Sequence, residues 1–490
     1  MMPTQLTQLA LYAALFATAS LVPACATNPV TGNSDFVLMS VEQEISLGRQ
    51  ANTQILKETP VYTAPKLEQL VQQVGEELAS HSHRPELFYH FTVLDSTAIN
   101  AFALPGGYIY ITRGLLAYLN SEAELAAVLG HEIGHVTARH SVRQQSTTAV
   151  TGILGAVVSA STGVQGVDTL TNMASTAIVR GYGRNHELEA DRLGAEYLAK
   201  SGYDPNAMLE VVGILKNQEA FEILVAEKEG RQANVYHGLF STHPDNDARF
   251  QEVVNAAQLY RTGATKRVNR ESFLRTLNGL TFGDNTREGI IQGNRFYHAP
   301  LDFTLTFPDN WRIVNQAEKI LAISPDNEGL LQMSIADLNK RMTPKQFMEQ
   351  RMQLKNLRHG STFKHGGLEG YTATADSNTT FGTRAVRYVV IYRGTSAYIF
   401  AAAAKNKKDS RRFDDDILAT ARSFRGLTAA DKPFAREKKL AVIHPPRGAS
   451  YAGLAAKSPI TSYPEMQLRL LNDAYPSGEP ETSQLIKVVH

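Results

Sequence analysis

The chain has 490 residues, Lys plus Arg 49 against Asp plus Glu 48, 43% hydrophobic residues and one cysteine. That length is more than one hydrophobic core holds, so two or three domains are expected. Charge this closely balanced gives no basic face for nucleic acid, which is excluded as a partner, and a single thiol excludes an internal disulfide.

The first predicted element is an apolar stretch from about Leu9, carried by Leu11, Leu15, Phe16, Leu21 and Val22. It is too short for a transmembrane helix and has the size of a secretory h-region. Val22-Pro23-Ala24-Cys25 resembles a bacterial lipobox, which makes 1–24 a lipoprotein signal peptide and Cys25 the lipidated first residue of the mature chain. Ala26 stands where aspartate would resemble an inner-membrane retention signal, so the expected place is the periplasmic face of the outer membrane, with the lipid as anchor. Residues 25–40, rich in Asn, Pro, Gly and Thr from Asn28 to Ser34, read as a tether.

Helices are expected over Val41–Lys57 and Pro65–Ala79, the second on the spacing of Leu67, Leu70, Val71, Val74 and Leu78. Phe88–Leu94 alternates as a strand does, Pro105-Gly106-Gly107 turns, and Tyr108–Thr112 is β-branched and aromatic. A strand so placed suggests a sheet edge, along which Asn100, Ala101, Gly107 and Tyr108 would hold an extended peptide by strand addition.

The next helix opens at Ser121, an N-cap with Glu124 at capping-box spacing, and carries an apolar stripe of Leu125, Val128, Leu129 and Ile133. It contains His131-Glu132-Ile133-Gly134-His135. At 3.6 residues per turn the two imidazoles lie on one face and can reach one ion, with Glu132 beside the open coordination position. Zinc lowers the pKa of its water to about 7, and the neighbouring carboxylate takes the proton as a peptide carbonyl is attacked.

A catalytic zinc site needs a third protein ligand. The metzincin arrangement would put histidine at 141 and glycine at 138, where Ser141 and Ala138 stand, so it is excluded; His140 is one residue out of place and is assigned to structure or substrate contact. Thr147 to Val179 is rich in small residues and is expected as two tightly packed helices beside the site. Beyond it lies Glu187-Leu188-Glu189-Ala190-Asp191. Glu187 and Asp191 share a helical face while Glu189 points roughly the opposite way; one of the pair can bind metal while the other orients a ligand histidine.

Asn100-Ala101-Phe102-Ala103, Pro105-Gly106-Gly107, Ser121 to Leu125, His131 to His135, Arg184, Glu187 to Asp191, Gly202-Tyr203-Asp204-Pro205 and Thr242-His243-Pro244 together resemble the Ste-type, HtpX- and BepA-like zinc metalloproteases, gluzincins related to CAAX prenyl proteases. The resemblance spans roughly residues 28 to 260 and includes Asn28-Pro29-Val30-Thr31-Gly32, similar to the tether of lipoprotein members. It implies one Zn2+, with Glu187 as third ligand and Asp191 behind it, and His243 as a fourth ligand that must leave before substrate enters. Arg249, Tyr182 and Arg184 are candidates for stabilising the oxyanion. The implied activity is endoproteolysis of extended or misfolded envelope proteins. The alternative is an outer-membrane assembly factor or chaperone whose proteolysis is latched by His243.

From about Ala264 the texture changes, with a linker over 263–292 and an α+β domain over 293–430. Its expected strands are Phe303–Phe307, Ile320–Ile323, Leu330–Ile335, Ala385–Tyr392 and Ser396–Ala402, with helices near Pro344–Leu357 and Phe413–Phe424. Residues 438–490 resemble a degenerate LysM module, in which Pro446-Arg447-Gly448-Ala449 replaces the Gly-Asp-Thr turn, so peptidoglycan is a possible partner besides polypeptide substrates and the membrane. The expected architecture is α+β: a mainly helical gluzincin domain (41–262) with a small edge-strand sheet, an α+β accessory domain and a small LysM-like module.

Overall fold

The computed structural model describes residues 25–147, 182–233, 254–255, 266–316 and 319–490. The signal-peptide stretch, nearly all of the small-residue segment, His243 and Arg249 lie outside the described residues. The chain divides into two compact units. The first takes the chain up to Asn278 with Val442–Leu454 and Glu465–Val488; the second takes Gly279–Ala441 with Ala455–Pro464 and Val489–His490.

The first unit begins with a small hairpin, β1 (Cys25–Thr27) and β2 (Ser34–Phe36), in register Cys25↔Phe36. Helix α1 (Val41–Glu58) starts at Ser40, whose side chain and that of Gln43 close a capping box, and α2 (Pro65–Ser80) starts on Pro65, whose missing N–H costs nothing in a first turn. Strands β3 (His90–Leu94), β4 (Ala101–Leu104) and β5 (Tyr108–Thr112) form a sheet in the order β3-β5-β4, parallel between β3 and β5 and antiparallel between β4 and β5.

This order corrects the expected edge. Tyr108–Thr112 is the central strand, and its four buried residues from Ile109 onward are what a strand with neighbours on both sides requires. Among the described residues the outer strands are β3 and β4; Ala101 lies in β4 and Asn100 just before it, while Gly107 and Tyr108 belong to the turn and the centre.

Helix α3 (Arg113–Tyr118) leads into α4 (Glu122–Thr137), every residue of which is buried. Ser121 Oγ accepts from Glu124 N at 3.1 Å, as the capping spacing requires, and the Glu124 carboxylate reaches one residue further back, to Asn120 N at 2.7 Å. Helices α5 (Arg184–Lys200), α6 (Ala207–Lys228) and α7 (Arg270–Thr276) follow; α7 lies within the stretch expected as linker.

The second unit contains short strands β6 (Thr281–Phe282), β7 (Ile290–Gln292), β8 (Arg295–His298) and β9 (Phe303–Thr306), then β10 (Arg312–Gln316), β11 (Lys319–Ile323), β12 (Gly329–Asp337), β13 (Arg358–His365), β14 (Leu368–Thr379), β15 (Gly382–Arg393) and β16 (Ser396–Ala404). The last seven form one sheet in the order β10-β11-β12-β16-β15-β14-β13, antiparallel throughout. Helix α8 (Asp414–Ser423) follows, and Ile417 and Ala421 on it join Phe303, Leu305, Leu331, Met333, Val389 and Phe400 in the core over one face; β17 (Arg425–Gly426) pairs with β9. The helix expected near Pro344–Leu357 is shorter, a turn at Pro344–Gln346 continued as a π-helical turn to Arg351.

The C-terminal stretch runs β18 (Lys438–Ile443), α9 (Tyr451–Ala455), α10 (Pro464–Leu471) and β19 (Ile486–Val489). It forms no third unit, its residues being divided between the other two. Within the first unit, buried Lys487 donates from Nζ to Ala117 O at 2.8 Å and Leu119 O at 2.6 Å, satisfying carbonyls at the end of α3.

Candidate metal centre

The site exists because α4 and α5 cross at close range. A Cβ built at Gly134 would lie 3.0 Å from Ala190 O, one at Gly194 3.0 Å from His131 N, and one at Gly130 2.9 Å from Leu198 Cδ1. Glycine at these three positions lets the backbones approach, and the approach brings the acidic face of α5 against the histidine face of α4.

His131 and His135 stand one turn apart with their Nε2 atoms 2.9 Å from each other. Glu187 faces both, Oε2 at 3.5 Å from His131 Nε2 and Oε1 at 3.5 Å from His135 Nε2. One donor atom from each of the three residues falls within a span of 4.8 Å, and all three are buried. Two imidazole nitrogens and a carboxylate converging in a buried place are the donor set of a divalent transition metal, and zinc fits it.

Asp191 completes the second role of the acidic pair. Its Oδ1 lies 2.8 Å from His131 Nδ1, so the carboxylate accepts a hydrogen bond from Nδ1–H and leaves the Nε2 lone pair to face the space shared with His135 and Glu187. Glu132, 1% exposed, follows His131 in the same helix. The edge strand comes close as well: Ala103, Leu104 and Pro105 share a small cleft with His135 and Val136.

The His135 side holds residues that spacing did not bring forward. His135 Nδ1 lies 2.8 Å from Nδ1 of His140, which is 0% exposed, and His140 Nε2 lies 3.1 Å from Glu189 Oε2. Arg143 Nη1 donates to the same carboxylate oxygen at 3.1 Å and Arg143 Nε lies 3.4 Å from Asp35. The hydrogen bond from His140, reinforced by Arg143, holds the Glu189 carboxyl down at about 2, while burial lowers His140. His186 stacks on His140 with centroids 4.3 Å apart, and burial, with His140 beside it, lowers it to about 4.

Of the oxyanion candidates, Tyr182 stacks on His135 at 4.0 Å with its hydroxyl 2.6 Å from Ser141 Oγ, and burial raises that hydroxyl, so it stays protonated. Arg184 is an exposed residue at the first position of α5.

Fold and site together define a metallopeptidase-type centre, two histidines on one helix and a glutamate from the next. Residues 65–257 match the model of peptidase family M48, so the stretch holding all three donors is a peptidase family M48 domain. The chain is similar to the "Beta-barrel assembly-enhancing protease" of Yersinia pestis, 31% identical over 250 residues that cover 49% of each chain. It is also similar to the protein of that name from Escherichia coli K12, 32% identical over 244 residues covering 48% of each. The "Mitochondrial metalloendopeptidase OMA1" of Arabidopsis thaliana is 31% identical over 205 residues, 40% of this chain and 38% of that protein. The chain thus spans about half the length of the first two relatives.

Proposed function

We propose that this protein is a zinc-dependent metalloendopeptidase of the bacterial cell envelope acting on extended or misfolded polypeptides. The observation that carries the reading is the convergence of His131, His135 and Glu187 within 4.8 Å, with Glu132 next in the helix. Zinc held by these three would supply an acidified water and a Lewis acid for the scissile carbonyl. Glu132 takes the proton from the attacking water and passes it to the leaving amine. Asp191 keeps the His131 ring oriented, and β4 offers backbone groups to an extended substrate beside His135, with Asn100 and Ala101 at its start. Tyr182, whose ring packs on His135, is the candidate to donate toward a developing oxyanion; Arg184 and Arg249 are the other candidates.

The test is Glu132→Gln in the full chain, assayed on an unfolded protein such as casein. Zinc content and thermal midpoint stay as in the wild type while cleavage falls by roughly 10²–10⁴-fold. Undiminished cleavage contradicts the mechanism.

The finer reading places the protein on lipid attached to Cys25 at the periplasmic face of the outer membrane, with His243 as a latch on the metal and the LysM-like segment as a contact to peptidoglycan. No helix among the described residues is long and apolar enough to cross a membrane. The names of the bacterial relatives favour a second role, helping or policing β-barrel assembly, with the latch keeping proteolysis low.

A further inference from the structure

The two ligand histidines are buttressed differently. His131 meets a carboxylate directly, through Asp191 at 2.8 Å, whereas the Nδ1 of His135 lies 2.8 Å from another imidazole, that of His140. We infer that His140 is a positioning residue for the metal ligand His135, and that Glu189 acts on His135 through it, so that the centre has one direct and one relayed carboxylate.

The chemistry leaves little choice of proton positions. If His135 Nε2 gives its lone pair to a metal, its Nδ1 carries the proton, and the group 2.8 Å away has to accept it. His140 Nδ1 is then the acceptor, so the His140 proton sits on Nε2, where Glu189 Oε2 receives it at 3.1 Å. The carboxylate is in turn held by Arg143 at 3.1 Å. His140 is completely buried and stacked against His186, which fixes its plane. The same arrangement explains why Glu189, which a helical wheel turns away from Glu187 and Asp191, still belongs to the site: it meets the chain where that chain returns after the end of α4. The chain breaks from α4 at Arg139, whose φ of 54° is left-handed, between His135 and His140.

This inference rests on the metal site proposed above, and the experiment separates the two. Zinc affinity of the full chain is measured by competition with a chromogenic chelator for the wild type, His140→Phe, His140→Gln and Glu189→Ala, alongside the thermal midpoint of each metal-free protein. Phenylalanine fills the place without accepting a proton, and zinc affinity is expected to fall by roughly 10–100-fold. Glutamine accepts from His135 with its oxygen and donates to Glu189 with its nitrogen, and is expected to restore most of the affinity. Glu189→Ala is expected to fall between the two. Wild-type affinity in both His140→Phe and Glu189→Ala overturns the relay and leaves the three-ligand site standing. His140→Gln binding no better than His140→Phe also overturns it, since His140 then serves only packing. A wild type that binds no zinc overturns the metal site and the relay together.

Discussion

At Asp191 one hydrogen bond bears on a division of labour that helical spacing leaves open. Glu187 and Asp191 are four apart, and either could have been the ligand; in the structure Asp191 lies 2.8 Å from His131 Nδ1 while Glu187 faces both Nε2 atoms. Asp191→Ala is therefore expected to leave all three donors in place and to weaken zinc binding by roughly 10–100-fold, read by chelator competition; unchanged affinity would remove Asp191 from the site. The convergence of His131, His135 and an acidic residue was legible because it follows from residue type and helical period. The place of His140 was not, because it depends on the helix break at Arg139, a non-glycine residue at φ 54° that no periodicity announces. The contact of Glu189 with His140 was not legible either, since a wheel shows which way a side chain leaves its own helix and says nothing of what meets it there.

At the scale of elements, the site depends on the glycine-lined crossing of α4 and α5. Gly194→Leu would set a side chain where even a Cβ lies 3.0 Å from His131 N, so the helices must separate and Glu187 must move away from the histidines. The expected outcome is a lower thermal midpoint together with loss of zinc, whereas a Gly194→Leu protein with wild-type midpoint and zinc content would show that the crossing does not set the ligand geometry. Helices α1, α2 and α4 were readable to within a few residues from caps and apolar spacing. The order of the small sheet was not, since β5 follows β4 in sequence yet lies between β4 and β3. Strands β13 and β14 escaped detection because their sequences are largely Thr, Ser, His, Lys and other polar residues, and β13 is almost wholly exposed. Their strand identity comes from pairing, Phe363↔Gly370 and Thr372↔Val389 among others, and not from an apolar alternation.

At the scale of the molecule, chain order and spatial order diverge at the C-terminus. The first unit is assembled from three stretches of sequence, and Lys487 reaches the carbonyls that end α3, immediately before the metal-bearing helix. Next to it Glu124 is raised to about 7 and Lys487 is lowered, both because burial disfavours charge. A lysine near the end of a chain looks in sequence like any solvated charge; only folding reveals it as an interior donor. The account as a whole stands on three residues from two helices making one centre. The most direct measurement is zinc per chain in the purified full-length protein and in Glu187→Ala, by elemental mass spectrometry after exhaustive dialysis. One zinc in the wild type and its loss in Glu187→Ala are expected; a wild type without zinc, or a Glu187→Ala protein that keeps it, contradicts the account.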